Sequence, residues 1–481
     1  MRAFPFGSAI EQARAIRNGA MSAVELLHAH LERVDRLNPA LNCVVVDDRE
    51  RALKAAKAAD RSQAKGAKLG PLHGVPMTVK ESFNIVGHAT TWGQPALRDN
   101  IATEDALAVQ RLKAAGAVVF GKTNVPINLA DFQSYNEVYG TTNNPWDVTR
   151  GPGGSSGGSA AALAAGLTPL EYGSDIGGSI RNPAAYCGVY GHKPTWCIVP
   201  KRGQTTLKGP VAEADLSVIG PLARTAADLA LALKVTAGPD RLTSPGLRLQ
   251  LPPPPTDVRG LRVAVWDDEE IAPVDASVRA AVDRVATALR KAGAKVDRAA
   301  RPAFTAAEAQ ETYGWLLLSQ MAARRVDYDD LARTRQNLDP TDNSGYANQV
   351  RNSTASFREV YLANQRREAL RWAWRAFFDR YDVLVAPITA TAAFPHDHSE
   401  PAFLRTMRVD GRDVAYLGQV FWAGLATCSL LPATVVPAGK SATGLPVGVQ
   451  LIGAEMADRT TIWLAGQLAQ LIGGFTPPPG Y

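Results

Sequence analysis

The sequence predicts an α/β protein with a large mixed β-sheet core, helices on both faces of the sheet and a helical insertion. Short apolar runs alternate with longer segments in which apolar residues recur at helical spacing. The alternation is clear near residues 75–120, resumes at residue 261 and continues to the end of the chain. Such alternation is typical of a layered fold in which helices cover a sheet.

Composition places the chain among ordinary globular proteins. It has 481 residues, of which 46% are hydrophobic and 20% charged, and it shows no internal repeat. We therefore expect a single domain over residues 1–481. The net charge of +6 comes from basic residues scattered along the chain, so no nucleic-acid partner is expected.

The sequence predicts no targeting segment and no metal motif. The N-terminal region lacks the apolar stretch of a signal peptide, and no uncharged apolar run approaches about 18 residues. We therefore expect a cytoplasmic protein with no membrane contact, and the four irregularly spaced cysteines predict reduced thiols. The two His-x-His pairs, at residues 28–30 and 396–398, have no third ligand nearby, so we expect no metal and no cofactor.

Helices dominate the first part of the chain. Residues 8–36 predict two amphipathic helices, the second beginning at a capping box on Ser22 and ending at Asn38-Pro39. The elements expected next are a helix over residues 48–63, a buried strand over 75–80, a helix over 103–115 and a strand over 117–120.

The second half of the chain follows a proline-rich linker at residues 251–256. Between residue 194 and this linker the pattern is too loose to assign elements. Residues 306–381 are mainly helical and form the predicted insertion. The other expected elements are strands at 261–266, 294–296, 383–387 and 447–452 and helices at 275–292 and 457–471.

Two serine sites flanked by glycine lie between residues 150 and 195. The first is Gly-Gly-Ser-Ser-Gly-Gly at residues 153–158, and the second is Asp-Ile-Gly-Gly-Ser at residues 175–179. Glycines remove side-chain bulk beside a serine and leave backbone N–H groups near it to hold an oxyanion. The pattern suits a nucleophilic serine, but His192 is the one histidine in the run, so the base is expected elsewhere in the chain.

Two other interpretations of this run are weaker. A flexible linker is often rich in glycine and serine, but here the run continues into an apolar, helix-forming stretch at residues 159–165. A phosphate-binding loop of the Walker type needs a lysine at the start of the helix, and the run has none there.

The run closely resembles the amidase signature family. It matches that family's G-G-S-S-G-G-S segment, its D-x-G-G-S-I-R segment and its closing P-A-x-x-C-G-x-x-G-x-K-P-T. Residues 72–80, 140–147 and 444–453 are also similar to family segments, so the resemblance covers most of the chain. It implies the amidase signature fold and the hydrolysis of a carboxylic amide through an acyl-enzyme, with release of ammonia or an amine.

The resemblance also implies residue roles. Lys80 matches the family's catalytic lysine, Ser155 the bridging serine that lies on a cis peptide bond, and Ser179 the nucleophile. Supporting roles are expected for Ser156, Asp175 and Arg181. The backbone N–H groups expected to form the oxyanion hole are those of Ile176, Gly177, Gly178 and Ser179.

Such a site requires a lysine of lowered pKa. An amine acts as a base only when it is neutral, so the pKa of Lys80 must fall below its usual value of about 10.4, through burial or nearby positive charge. The position of Lys80 at the end of an apolar run favours burial. A hydroxyl both donates and accepts a hydrogen bond, so Ser155 is suited to relay a proton from Ser179 to Lys80.

By resemblance, the insertion at residues 306–381 and the stretch at 416–427 shape the substrate pocket. Trp315, Phe421 and Trp422 lie in these segments and favour an apolar or aryl amide. The expected partner is therefore a small-molecule amide, and a homodimer is an open alternative to a monomer.

Three other functions stay open at this point. An esterase or carbamate hydrolase would use the same three residues, and so would the amidase subunit of a tRNA-dependent amidotransferase. A non-catalytic binding protein of this fold is disfavoured, because Lys80, Ser155 and Ser179 are all present.

Overall fold

The strands of the protein are seen in a computed structural model that describes residues 5–209, 211–323, 325 and 327–481. In chain order they are β1 (Val44–Asp47), β2 (Pro76–Lys80), β3 (Val118–Thr123), β4 (Tyr135–Asn136), β5 (Gly140–Thr141), β6 (Leu170–Asp175), β7 (Tyr190–Lys193), β8 (Val218–Ala223), β9 (Arg262–Val265), β10 (Lys295–Asp297), β11 (Val383–Pro387), β12 (Thr406–Val409), β13 (Arg412–Ala415), β14 (Ala433–Lys440) and β15 (Pro446–Ile452).

The α-helices begin near the N-terminus and end close to the C-terminus. They are α1 (Ala9–Arg17), α2 (Ala23–Leu41), α3 (Arg49–Ala64), α4 (Leu107–Ala114), α5 (Gly157–Ala164), α6 (Arg181–Cys187), α7 (Ala226–Thr236), α8 (Ala276–Lys291), α9 (Ala306–Ala322), α10 (Tyr328–Gln336), α11 (Gly345–Ser353), α12 (Phe357–Phe378), α13 (Val420–Thr427) and α14 (Asp458–Ile472). Within the described residues, no helix is long and apolar enough to cross a membrane.

An eight-stranded sheet forms the centre of the fold, in the order β10-β9-β11-β15-β14-β7-β8-β6. The first three strands of this order are parallel, and every later pair is antiparallel. Strands β6, β8, β11 and β15 are buried at every residue, as expected of strands covered on both faces. This arrangement confirms the predicted mixed α/β sheet.

A second sheet of three strands, in the order β1-β3-β2, carries the predicted lysine. Strands β2 and β3 are parallel, and β2 lies beside β6 of the large sheet. The backbone N–H of Thr78 donates to the Thr168 hydroxyl at 3.2 Å, and the Thr78 hydroxyl donates to the buried Glu171 carboxylate. These contacts place the end of β2 next to the strand that leads into the second serine site.

The predicted insertion consists of the four helices α9 to α12. Its apolar side chains, among them Tyr313, Leu316 and Leu370, form a cluster with Leu216 and Cys428 from the α/β part. A much larger cluster packs around the central sheet and draws on residues from Ala9 to Leu468. The insertion therefore packs on the edge of the core near β8 and α13.

Several sequence predictions of element boundaries were wrong. Helix α2 does not end at Asn38-Pro39 but continues to Leu41. Proline in the last turn removes only one helical hydrogen bond, and the Asn42 N–H still donates to the Asn38 carbonyl at 2.6 Å. Helix α4 begins at Leu107 rather than at residue 103, since the N–H groups of Ala106 and Leu107 bond to carbonyls of other segments.

The region that showed no clear pattern, between residue 194 and the proline-rich linker, contains strand β8 and helix α7. Strand β8 is buried on both faces, so its sequence VIGPLA has no alternation of polar and apolar residues to reveal it. Strand β6, with the sequence LEYGSD, was missed because it buries polar residues, among them Glu171 and Asp175, together with apolar ones.

Candidate active site

Strand β2 carries Lys80 into the protein interior, where the side chain is fully buried. Its Nζ donates to Ser155 Oγ at 2.6 Å and to Ser174 Oγ at 3.0 Å. Burial lowers the pKa of Lys80 to about 7, against the opposing effect of the Asp175 carboxylate. About half of the lysine is then neutral near pH 7, which is the condition for it to act as a base.

The Gly154–Ser155 peptide bond is cis, as the resemblance implied. Glycine is required at position 154 because a Cβ there would lie 2.3 Å from the carbonyl oxygen of Asp131. The segment at residues 131–134 therefore packs directly against the backbone of the first serine site.

The two serine sites meet through their backbones. The N–H of Ser156 donates to the carbonyl of Ser179 at 3.0 Å, and the Ser156 hydroxyl donates to the carbonyl of Ser174 at 3.4 Å. Ser179 is 7% exposed, whereas Ser155 is 1% exposed. Lys80, Ser155 and Ser179 therefore lie together, with Ser179 the most accessible of the three.

Ser179 lies in a turn between β6 and α6 that is held by an ion pair. Asp175, at the end of β6, receives two hydrogen bonds from Arg181, Nη2 to Oδ1 at 2.9 Å and Nε to Oδ2 at 3.0 Å. Both side chains are fully buried. Burial alone would raise the pKa of Asp175, but the Arg181 guanidinium lowers it to about 2, so the carboxylate keeps its charge.

The same carboxylate organises the backbone of the turn. Asp175 Oδ1 accepts the Gly178 N–H at 2.8 Å, and Oδ2 accepts the Ile180 N–H at 3.1 Å. Gly178 has φ +104°, a backbone conformation that favours glycine. Asp175 and Arg181 thus brace the loop that presents Ser179.

The predicted oxyanion donors divide into two groups. Gly178 already donates to Asp175, whereas no acceptor within the described part of the chain is bonded to the N–H groups of Ile176, Gly177 and Ser179. Those three N–H groups are not committed to an acceptor within the described residues. The oxyanion role of all four residues stays a prediction.

The Asp175→Asn variant is expected to lose about 3–5 kcal/mol of folding free energy, because it leaves the Arg181 charge buried without its partner. Chemical denaturation of the variant and the wild type measures this difference. The matched control is Asp330→Asn, which breaks the exposed Arg333–Asp330 pair and should change stability by less than about 1 kcal/mol. Equal stabilities for Asp175→Asn and the wild type would contradict the bracing role.

The three predicted pocket aromatics lie in different surroundings. Trp315 is half-buried on α9 and packs against the insertion's cluster. Phe421 and Trp422 belong to the main core, where the Trp422 indole N–H donates to the Ala272 carbonyl at 3.0 Å. Their contact with substrate stays a prediction.

Two functional contacts were missed from the sequence. Ser174 accepts a hydrogen bond from Lys80, and it was overlooked because β6 was not recognised as a strand. The second contact is that of Tyr313 on α9, whose hydroxyl donates to the Ile176 carbonyl at 2.6 Å. A serine immediately before Asp175 was a usable signal for the first contact, whereas nothing local in the sequence indicates the second.

Comparison with known proteins shows relatives over nearly the whole chain. A family model described as Amidase matches residues 25–462. An acylamidase of Rhodococcus erythropolis is 36% identical over 459 residues, covering 94% of this chain and 92% of the relative. An indoleacetamide hydrolase of Bradyrhizobium diazoefficiens is 36% identical over 455 residues, covering 92% of this chain and 82% of the relative. One subunit of the glutamyl-tRNA(Gln) amidotransferase of Roseiflexus sp. is 34% identical over 472 residues, covering 93% of both chains.

Solved structures agree with these sequence relationships. One, described as a vestigial protein complex that reveals the evolutionary origins of an s-triazine catabolic enzyme, superposes with a TM-score of 0.81. It is 31% identical, and the match covers 98% of this chain and 99% of the other. The fold and the similarity across the whole chain define an amide-hydrolysing enzyme. The chain belongs to the amidase family, in its amidase signature form.

Proposed function

We propose that the protein hydrolyses small apolar or aryl amides through an acyl-enzyme on Ser179. The observation that carries this proposal is the 2.6 Å hydrogen bond between the buried Lys80 Nζ and Ser155 Oγ, next to Ser179. The bond joins a lysine of lowered pKa to a hydroxyl that lies beside the proposed nucleophile.

Acylation begins when Ser179 Oγ attacks the amide carbonyl carbon. The Ser179 proton passes to Ser155 Oγ while the Ser155 proton passes to Lys80, and the carbonyl oxygen becomes an oxyanion held by backbone N–H groups. When the C–N bond breaks, the leaving nitrogen receives a proton returned from Lys80 through Ser155. Ammonia or an amine departs, and the acyl group stays esterified to Ser179.

Deacylation repeats these steps with water. Lys80 removes a proton from water through Ser155, the hydroxyl adds to the ester carbonyl, and Ser179 leaves with a proton returned by the same route. The products are a carboxylic acid and the free enzyme. No cofactor is needed for either half of this proposal.

The substrate class is supported by the named relatives of the chain. A space of about 670 Å³ also lies beside the insertion, but its lining includes the charged side chains of Glu213, Asp215 and Arg367. None of Lys80, Ser155 and Ser179 lines this space, so it does not identify the substrate. The relatives named acylamidase and indoleacetamide hydrolase agree with amide substrates that carry an apolar or aryl group.

A hydrolysis screen tests the proposed function. We expect the purified protein to hydrolyse aryl amides or anilides faster than short aliphatic amides, with ammonia or amine release as the readout. Matched esters and carbamates in the same screen test the alternative that the protein prefers those bonds. Hydrolysis of esters or carbamates but of no amide would overturn the proposal.

A second candidate is the amidase subunit of a tRNA-dependent amidotransferase, which the 34% identical Roseiflexus relative favours. That function predicts that glutamine is the preferred amide, so glutamine belongs in the same screen. Failure to hydrolyse glutamine alongside turnover of aryl amides would reject this candidate. A cytoplasmic location and a homodimer stay predictions, and sedimentation of the purified chain tests the second.

A further inference from the structure

The insertion helix α9 makes a direct hydrogen bond to the turn that presents Ser179. Tyr313 lies on α9, is 1% exposed, and its hydroxyl donates to the carbonyl oxygen of Ile176 at 2.6 Å. Ile176 is the first residue after β6 and begins the segment that ends at Ser179. A residue far away in sequence therefore holds one peptide group of the catalytic turn.

This hydrogen bond fixes a second group, the N–H of Gly177. The peptide bond between Ile176 and Gly177 is not among the cis bonds of the described chain, and in a trans peptide the carbonyl and the following N–H point in opposite directions. When Tyr313 holds the Ile176 carbonyl on one side, the Gly177 N–H is directed to the other side. No acceptor in the described structure is bonded to that N–H.

The other end of the turn is held separately. Asp175 Oδ1 accepts the Gly178 N–H at 2.8 Å, so the peptide groups on both sides of Gly177 are tied down. Tyr313 bonds to the carbonyl of Ile176 and Asp175 to the N–H of Gly178. Gly177 therefore lies between two peptide groups that are each held by a hydrogen bond. A donor held in this way loses little energy to reorientation when negative charge develops nearby.

The tyrosine ring is closely packed in the interior. It lies against Gly424 of α13, where an added Cβ would come within 2.5 Å of Tyr313 Cδ1. Burial raises the pKa of the Tyr313 hydroxyl well above its usual value, so the hydroxyl keeps its proton and remains a donor. The close contact with Gly424 and the hydrogen bond of the hydroxyl together set the position of the ring.

We propose that Tyr313 is a positioning residue that aims the Gly177 N–H at the oxyanion of the acylation step. The inference rests on the proposed function, because it assumes that this turn stabilises an oxyanion. It gives the helical insertion a role in catalysis in addition to enclosing the substrate: the insertion holds the oxyanion hole in shape through one hydroxyl.

The Tyr313→Phe variant tests this role, because it removes the hydroxyl and keeps the ring against Gly424. With p-nitroacetanilide as the probe, we expect kcat to fall about 10- to 100-fold, less than the loss of a whole oxyanion donor, with KM little changed. The rate of labelling by a fluorophosphonate should fall by a similar factor, since its P=O oxygen also gains negative charge during attack. The pH midpoint of kcat/KM should stay near 7, because Lys80 is untouched.

The control is Tyr381→Phe, which also removes a hydrogen-bonded tyrosine hydroxyl, here one that donates to Asp297. Tyr381 follows α12 and its partner lies on the edge strand β10, so its loss should leave kcat and the labelling rate unchanged. A Tyr313→Phe enzyme with wild-type kcat and labelling rate would overturn the inference. An equal loss in both variants would also overturn it, because the loss would then reflect stability alone.

Gly424→Ala provides a second test, since its added methyl displaces the Tyr313 ring. We expect it to lower kcat as Tyr313→Phe does, and the double variant should be no worse than the more impaired single variant. Full additivity of the two losses would contradict a shared cause. If the wild type labels at Ser179 but hydrolyses no amide, the proposed function fails, while the labelling rates of the variants still decide the role of Tyr313.

Discussion

The Ser179→Ala variant is expected to lose turnover almost completely, by about a factor of a million in kcat, as removal of the nucleophile does in other serine hydrolases. Alanine cannot form the acyl-enzyme, and Ser155 and Ser156 are not expected to replace the nucleophile, because they are 1% and 0% exposed whereas Ser179 is 7% exposed. The measurement is kcat on the best amide of the screen, together with fluorophosphonate labelling. Both signals should disappear.

The fold should survive this substitution. Ser179 contributes a small side chain, and the turn is held by Asp175 and Arg181 through groups that alanine does not change. Thermal unfolding should therefore match that of a Ser441→Ala control, whose serine lies in the turn between β14 and β15. Labelling that persists in Ser179→Ala would show that the nucleophile is another residue.

The Lys80→Met variant is expected to lower kcat/KM by about 10²- to 10⁴-fold at neutral pH, the range for loss of a general base. Methionine keeps the apolar stem and volume of lysine in a fully buried position but has no group that accepts a proton. Wild-type rates in this variant would refute the lysine as the base. Retained activity in Lys80→Arg would do the same, since a guanidinium stays protonated at any working pH.

The wild-type enzyme should lose activity as pH falls. Because the pKa of Lys80 is lowered to about 7, kcat/KM should drop about tenfold per pH unit below 7 and level off above it. Burial also raises the pKa of Glu171 to about 7, so Glu171→Gln is the necessary control. The loss of activity at low pH should persist in Glu171→Gln. If it disappears in that variant, the titrating group is Glu171 and not Lys80.

The same pKa shift affects stability in a defined direction. The folded protein favours neutral Lys80, so burying this group carries no charge-related cost above about pH 10.5, the pKa in the unfolded chain, and an increasing cost in stability as pH falls towards 7. The melting temperature of Lys80→Met should therefore depend less on pH over this interval than that of the wild type. At pH 7 the Lys80→Met variant should be at least as stable as the wild type. Its loss of activity can then be distinguished from unfolding.

The parts of the fold that were predicted well have strong local signals. Strand β2 and helices α2, α8 and α14 show clear apolar periodicity or caps, and the structure places them within a few residues of the expected bounds. Strands β6 and β8 were missed because both of their faces are buried, so β8 has no polar residues to alternate and β6 buries polar residues that normally face solvent. Local sequence cannot separate such a strand from a loop rich in small residues.

The site likewise combines residues that local sequence indicates with contacts that it does not. Lys80, Ser155 and Ser179 were predicted from motifs, and the structure places the lysine against the first serine and joins the two serine sites through the backbone. The contacts that organise the turn come from residues distant in sequence. Tyr313 meets Ile176 across 137 positions, a contact that depends on how the insertion packs against the sheet. Periodicity within either segment holds no information about it.

The identity of the residue that a fluorophosphonate modifies tests the central claim most directly. The enzyme would be labelled at pH 8, digested, and the modified peptide sequenced by mass spectrometry. The predicted result is a single adduct on Ser179, with labelling lost in Lys80→Met. An adduct on Ser155 or Ser156, or undiminished labelling without Lys80, would contradict a Ser179 nucleophile activated by a buried lysine.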